Sequence, residues 1–300
     1  MSKSFIRYPG GKSRHTSKIL KFFCNTDEFE YREPFLGGGS VYLAGEWTWA
    51  WINDLDPGVY NLWKMVQVEP EILISFIREI TPIINHKKDT EQIENAIDLW
   101  RKIKDDKKGE QYPLGFRTLF LNKTCFSGIL LGGPTGGMHQ TGKYNLMSRW
   151  SEERTIRLIN HAHDRLKETK ITNIDWREVV KKPSDFACVF CDPPYLKKGN
   201  MCYDLAFSLD DHKSLAHTML DCGHRFVVTI DDCSELREVW KNAGCNPECM
   251  LEEQWMYSMS DHREENREGK ELFIVDEISM RLVYNKGFRT KRVLEDIFEE

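Results

Sequence analysis

An acid, two prolines and a phenol stand side by side at Asp192-Pro193-Pro194-Tyr195. Neither proline has a backbone N–H, and each fixes its own φ. Each also drives the residue before it out of helical geometry. The result is a stiff, extended corner with carbonyl oxygens and an aromatic face close together. A flat molecule carrying an amino group suits such a corner. The carboxylate and a carbonyl accept from the amine, and the ring stacks on the plane. A plain turn is the alternative, since Asp and Pro are ordinary turn residues. The corner needs a scaffold, and the apolar run from Phe186 to Cys191 has the length of a buried strand.

Two glycine turns lie upstream. In Tyr8-Pro9-Gly10-Gly11-Lys12-Ser13 the ending resembles a P-loop, but the required glycine five places before Gly11 is Ile6. What remains is a turn that lets the backbone approach a ligand, followed by a lysine. An amphipathic helix is expected next, with Ile19, Leu20, Phe22 and Phe23 on its buried side. In Tyr31-Arg32-Glu33-Pro34-Phe35-Leu36-Gly37-Gly38-Gly39-Ser40 a short strand runs into three glycines and a helix start. Glycine admits positive φ and brings no side chain between backbone and ligand. A dinucleotide fingerprint needs a further glycine at Tyr42, so a nicotinamide or flavin site is disfavoured. Trp49 to Asp54 reads as the next strand, ending in an acid. In a strand–turn–helix–strand unit such an acid reaches the ribose hydroxyls of an adenosine-bearing cofactor. A helix cap ahead of Pro57 is the other reading of Asp54.

The elements that hold these groups point to an α/β chain. Its 300 residues, 40% hydrophobic, suffice for one large α/β domain or a core with an inserted lobe. No apolar run is long enough to span a bilayer, and the N-terminus lacks a signal-peptide core. No membrane association and a cytoplasmic location are therefore expected. The nine cysteines form no disulfide framework. Cys188 and Cys191, and likewise Cys245 and Cys249, lack the second pair a zinc site requires, so no metal is expected. Net charge is −5, yet Arg101 to Lys170 holds 14 Lys and Arg against 7 Asp and Glu, leaving −12 for the remainder. A localised positive surface facing phosphates fits this asymmetry, as does a pair of solvated helices.

Helices are expected over Pro57–Arg78, Thr90–Lys104, Phe116–Asn122 and Ser151–Thr169. Between the last two lies a glycine-rich loop that interleaves polar and basic residues. His139, Lys143, Tyr144, Asn145 and Arg149, with Asn122, Lys123 and Ser127 just ahead of them, are candidate contacts to DNA backbone and base edges, and a flexible loop of no consequence is the other reading. A strand from Ile171 to Trp176 carries a second acid, Asp175. Beyond the corner, Asp210–Cys222 reads as helix, Phe226–Ile230 as strand, and Ser234–Ala243 as a helix capped by Ser234. Met250–Tyr257 reads as strand and Asp261–Lys270 as a charged loop. Glu271–Val275 with Ile278–Tyr284 reads as a terminal hairpin, followed by a charged tail over 286–300.

Taken in order, Tyr8-Pro9-Gly10-Gly11-Lys12, Glu33-Pro34-Phe35-Leu36-Gly37-Gly38-Gly39-Ser40, Asn53-Asp54 and Asp192-Pro193-Pro194-Tyr195 resemble the Dam-type, alpha-group adenine-N6 DNA methyltransferases. The resemblance spans roughly residues 5 to 285. It implies a Rossmann-like sheet of seven strands, mostly parallel with one reversed, and an inserted, mostly helical target-recognition lobe. The catalytic domain would take 1–56 and 169–285, and the lobe 57–168. It implies S-adenosyl-L-methionine as cofactor, bordered by Tyr8, Gly11 and Lys12. Phe35, Gly37 and Gly39 would pack around its methionine half. Asp54 would hold its ribose, Asp175 its adenine, and Asp192 would border it. Asp192, Pro193, Pro194 and Tyr195 would grip an adenine flipped from double-stranded DNA. A monomer or weak dimer is expected, with a cognate restriction endonuclease as a candidate partner.

The chain departs from the enterobacterial Dam pattern in the lobe, where Asn122-Lys123 and Phe126-Ser127-Gly128 replace Asn-Arg and an aromatic-Asn-Gly run. GATC recognition is therefore not carried over. Cytosine N4 or an amine in RNA remains an alternative acceptor. A non-catalytic DNA-binding subunit is the alternative from another class.

Overall fold

The structure is a computed structural model that describes residues 4–8, 10–23, 29–86, 89–185, 187–196, 207–256 and 268–285. Pro9, Phe186, Tyr257, most of the charged loop before Lys270 and the tail over 286–300 lie outside the described residues. The chain divides into two compact units. One gathers the N-terminal residues to Gly11 with Gly37–Leu43 and Asp54–Asn173. The other gathers Lys12–Leu36, Ala44–Asn53 and the chain from Ile174 onward.

The described residues carry seven strands in a mixed α/β arrangement. Six fall in the second unit: β1 (Glu30–Glu33), β2 (Trp49–Asn53), β4 (Ala187–Cys191), β5 (Arg225–Asp231), β6 (Met250–Met256) and β7 (Glu268–Val275). Their order is β2-β1-β4-β5-β7-β6. The pairings β2–β1, β1–β4 and β4–β5 are parallel, and both pairings of β7 are antiparallel. β7 is thus the one reversed strand, as expected of a Rossmann-like methyltransferase sheet. The seventh strand, β3 (Thr169–Thr172), belongs to the first unit.

Strand β4, Ala-Cys-Val-Phe-Cys, is buried at every residue. A parallel strand covered on both faces reads as an unbroken apolar run, and this one does. Cys188 and Cys191 are an odd number of residues apart, so the pleat sends them to opposite faces. The chain direction across the sheet reverses between β1 and β4. Ligands of open α/β sheets sit beyond the carboxyl ends of the strands at such a point. Pro34-Phe35 follows β1 there, and Asp192-Pro193 follows β4.

Around these strands the second unit holds α1 (Thr16–Lys21), α8 (Trp176–Lys181), α9 (Leu209–Asp221), α10 (Ser234–Asn242) and α11 (Glu277–Asn285). Ile19, Phe22 and Phe23 are buried as expected of the helix after Ser13, while Leu20 is only half-buried. The first unit is helical, with α3 (Pro57–Val68), α4 (Pro70–Ile84), α5 (Thr90–Asp105), α6 (Leu114–Thr124) and α7 (Glu152–Leu166). A short helix, α2 (Ser40–Ala44), starts at Ser40 as expected.

Four expectations are corrected. The helix from Pro57 to Arg78 is two helices, because Glu69 leaves helical geometry ahead of Pro70, which opens α4. The terminal hairpin is a strand followed by a helix. Glu271–Val275 pairs with β5 and β6, and α11 then begins where Asp276 accepts from the Ser279 backbone N–H at 2.8 Å. Ser234 is the first residue of α10 rather than its cap, and its hydroxyl bonds Glu235. The strand before Asp175 ends at Thr172. Asp175 instead caps α8, accepting from the Arg177 N–H at 2.8 Å.

Candidate active site

The prolyl corner lies in the second unit and closes on a buried polar cluster. Lys12, only 2% exposed, donates from Nζ to Asp192 Oδ1 at 2.6 Å and to the Tyr195 hydroxyl. Thr229 Oγ1 donates to the same Asp192 oxygen at 2.7 Å. The sheet sets this contact: Cys191 on β4 stands opposite Val228 on β5, so the next residue of each strand meets the other. Tyr195 donates its hydroxyl hydrogen to Glu271 Oε1 at 2.6 Å. Glu271 Oε2 lies 3.5 Å from Lys12 Nζ. Two carboxylates thus share one ammonium. Burial raises Glu271 to about 7, the Asp192 charge adds to the rise, and Lys12 opposes it. Among the described residues, Asp192 Oδ2 accepts no hydrogen bond, and the Asp192 side chain is 19% exposed. That oxygen is available to an incoming donor.

Phe35 and Asp175 also lie in the second unit. Phe35 packs against Trp176 at 5.8 Å and edge-on to Phe207 at 5.6 Å, in an apolar cluster beside the residue that caps α8. The Asp175 carboxylate pairs with Arg177 at 3.0 Å.

The glycine turns and Asp54 lie in the first unit. Gly11 donates to the Tyr8 carbonyl at 3.0 Å, closing the first turn. Gly37 has φ +46°, and a Cβ built there would sit 2.8 Å from the Tyr8 ring. Any side chain at 37 would displace Tyr8. Gly39, at φ +57°, needs the same left-handed backbone. Asp54 accepts from the Gly37 N–H at 2.7 Å through Oδ2 and from the Asp56 N–H at 2.9 Å through Oδ1. The cap ahead of Pro57 is supplied by Asp56, which accepts from Gly58 and Val59. Asp54 is therefore not spent as a cap. Burial raises it to about 7 despite its two backbone donors. Each of its oxygens keeps a lone pair, the acceptor chemistry that the vicinal hydroxyls of a ribose require. The residues present fit an adenosyl group.

The glycine-rich segment of the first unit is folded. Gln140, 2% exposed, donates to the carbonyls of Thr135 and Gly137 and accepts from the Leu146 N–H. Gly136, at φ +89°, lets the chain pass where a Cβ would lie 2.3 Å from the Tyr144 carbonyl. His139, Lys143 and Tyr144 are exposed. Asn145 caps a short 3-10 turn, Leu146–Arg149, by a reciprocal bond with Ser148. Ser127 is half-buried at φ 56°. Asn122 is 3% exposed, and its amide is engaged by the Arg7 backbone, accepting at 2.9 Å and donating at 2.5 Å. Its place is to hold the chain at Arg7. Burial, together with Arg154 and Arg7, lowers Lys123 to about 8, and burial with Arg7 lowers Arg149. Arg7 is the cation common to both.

Four of these residues escaped the sequence reading: Arg7, Gln140, Thr229 and Glu271. For Thr229 and Glu271 a faint signal existed. Each is a polar residue in or beside an apolar strand run, Phe226–Ile230 and Leu272–Val275.

The model of the D12 class N6 adenine-specific DNA methyltransferases matches residues 8–259. Three relatives illustrate the likeness. The DNA N-6-adenine-methyltransferase of Escherichia phage P1 is 22% identical over 81% of this chain, a match that spans 31% of that protein. The DNA adenine methylase of Vibrio cholerae is 20% identical over 81% of this chain and 87% of its own length. The type II methyltransferase M.MjaIII of Methanocaldococcus jannaschii is 27% identical over 64% of this chain and 69% of its own.

Proposed function

Because the chain belongs to the D12 class of N6 adenine-specific DNA methyltransferases, we propose that it transfers a methyl group from S-adenosyl-L-methionine to N6 of an adenine flipped out of double-stranded DNA. The observation that carries this reading is the corner at Asp192. One carboxylate oxygen is fixed by Lys12 and Thr229, and the other is left to accept.

The adenine amine is a weak nucleophile, since its lone pair is delocalised into the ring. Asp192 Oδ2 and the Pro193 carbonyl accept its two hydrogens and favour a pyramidal nitrogen with the lone pair localised. Pro194 stiffens the corner, and Tyr195 offers its ring as a stacking face. Lys12 and Thr229 keep Asp192 from rotating, so the acceptors stand ready before the base arrives. The bound cofactor supplies a methyl already activated on a sulfonium. N6 loses one proton after transfer, and the Asp192 carboxylate is at hand to take it.

Tyr8, Gly11, Lys12, Phe35, Gly37 and Gly39 are assigned to the borders of the cofactor, Asp54 to its ribose and Asp175 to its adenine. The helical insertion, 57–168, is assigned to DNA. Lys123, Arg149, His139, Lys143 and Tyr144 supply its contacts, with Ser127 and Asn145 at its turns and Asn122 holding Arg7. Counterion release from phosphates by these cations would carry much of the affinity. We place the protein in the cytoplasm. A cognate endonuclease is supported by the type II name of M.MjaIII.

Incubation of the protein with duplex DNA and labelled cofactor, followed by mass spectrometry of the nucleosides, is expected to yield N6-methyladenine. Label in N4-methylcytosine, or no transfer, would overturn the reading. Transfer to RNA alone would do the same.

A further inference from the structure

We propose that Glu271 is a positioning residue for methyl transfer, the fixed acceptor that keeps the Tyr195 hydroxyl hydrogen away from Asp192. The proposal rests on the methyltransferase reading above and adds a residue to it.

Three facts of geometry support it. Tyr195 Oη lies 2.6 Å from Glu271 Oε1 and 3.5 Å from Asp192 Oδ1, so two carboxylates compete for one phenolic hydrogen. Lys12 already donates to that phenol, and an ammonium has no lone pair with which to accept in return. Among the described residues, the acceptors within reach of that hydrogen are Glu271 and Asp192. While Glu271 is ionised the hydrogen points at Glu271. When Glu271 takes a proton, its own O–H can donate to the phenol. The Tyr195 hydrogen then turns to Asp192, which already accepts from Lys12 and Thr229. Asp192 then meets the substrate amine with less acceptor capacity.

The charged surroundings of Glu271 make this switch reachable. Lys12 is the cation at its carboxylate, and Asp192 is the competing anion. Across the ladder, Asp231 of β5 and Glu253 of β6 stand in register with Glu271. Glu253 is paired with Lys18 of α1 at 3.1 Å. Glu271 is only 1% exposed, and burial, with the Asp192 charge, raises its pKa to about 7 against the pull of Lys12. The ionised form, and with it turnover, grows as pH rises through that value.

The test measures kcat, KM for DNA and cofactor affinity for wild type, Glu271→Ala and Glu271→Gln at several pH values. Glu271→Ala is expected to lose on the order of tenfold or more in kcat, and Glu271→Gln, which keeps an acceptor oxygen, less, with cofactor affinity and KM within about threefold of wild type in both. The wild-type kcat is expected to fall on the acid side with an apparent pKa near 7, a limb that belongs to the coupled cluster. Glu271→Gln, isosteric and unable to titrate, is expected to lose that limb. Near-UV circular dichroism checks folding, and if Glu271→Ala does not fold, Glu271→Gln decides. Wild-type kcat and an unchanged acid limb in Glu271→Gln would overturn the proposal alone. Wild-type protein inactive on every duplex would overturn the methyltransferase reading and this proposal with it.

Discussion

The backbone N–H of Gly37 donates to the carboxylate of Asp54 at 2.7 Å. This bond ties the glycine turn after one strand to the acid after the next. It also fixes one edge of Asp54 and leaves further lone pairs for hydroxyl donors.

Asp54 is expected to govern cofactor affinity. Asp54→Asn removes the charge that hydroxyls would meet, and should weaken binding by about tenfold to a hundredfold. Burial raises Asp54 to about 7. Its ionised fraction, and so cofactor affinity, should fall as pH drops through that value. The sign for stability is opposite. An acid whose folded pKa is raised favours the folded state at low pH, and that contribution is lost as pH rises toward 7. Isothermal titration with S-adenosyl-L-methionine at about pH 6 and about pH 8 checks the first statement. Equal affinities at the two pH values would remove Asp54 from the ribose.

Asp192→Ala is expected to abolish methyl transfer while cofactor binding stays measurable. Loss of the acceptor should reduce kcat by at least about a hundredfold. Because the change also leaves Lys12 without its 2.6 Å partner, Asp192→Asn is the gentler probe. Asn keeps an oxygen for Lys12 and loses the charge. Single-turnover transfer of tritium to duplex DNA measures both, and full activity in either variant would end the proposed mechanism.

Gly37→Ala is expected to destabilise the protein by about 1–3 kcal/mol and to weaken cofactor binding. Its cause is steric: a methyl group at φ +46° would meet the Tyr8 ring at 2.8 Å. Thermal denaturation beside a binding titration separates the two effects. A variant with unchanged midpoint and affinity would contradict the close packing of Tyr8 on this turn.

The cation cluster of the first unit should appear in salt dependence. If Lys123 and Arg149 each contact a phosphate, replacing either with Gln lowers the slope of log K against log salt by about 0.9. A residue that reads bases would instead change sequence preference with little change of slope. Fluorescence anisotropy with labelled duplexes over a salt series distinguishes these outcomes. An unchanged slope in both variants would move the DNA path away from these residues.

Much of the site was legible because its chemistry is local. Asp192 to Tyr195 are consecutive, and the two glycine turns announce themselves in a few residues each. The alternation of strand, turn, helix and acid around Asp54 needs only about twenty residues of context to be read. Glu271 lay beyond such reading. It reaches Tyr195 through the pairing of β7 with β5, in which it stands opposite Asp231, 40 residues earlier in the chain. The terminal hairpin failed for a related reason. Ile278 to Tyr284 suits strand or helix by composition, and the Asp276–Ser279 contact decides for helix. Pro70 was visible, yet the apolar periodicity on both sides of it obscured the break. Arg7 is held through its backbone and Gln140 bonds its side-chain amide to backbone groups, and residue type carries little information about such backbone partners.

The reversed strand has a consequence for when the protein acquires its chemistry. Lys12 is made long before its partner Glu271, which lies 259 residues further along the chain. Until β7 is made and slots in beside β5, the phenol of Tyr195 lacks the Glu271 carboxylate that it bonds. A nascent polypeptide that has assembled every element ahead of β7 would therefore remain unarmed until that strand is in place.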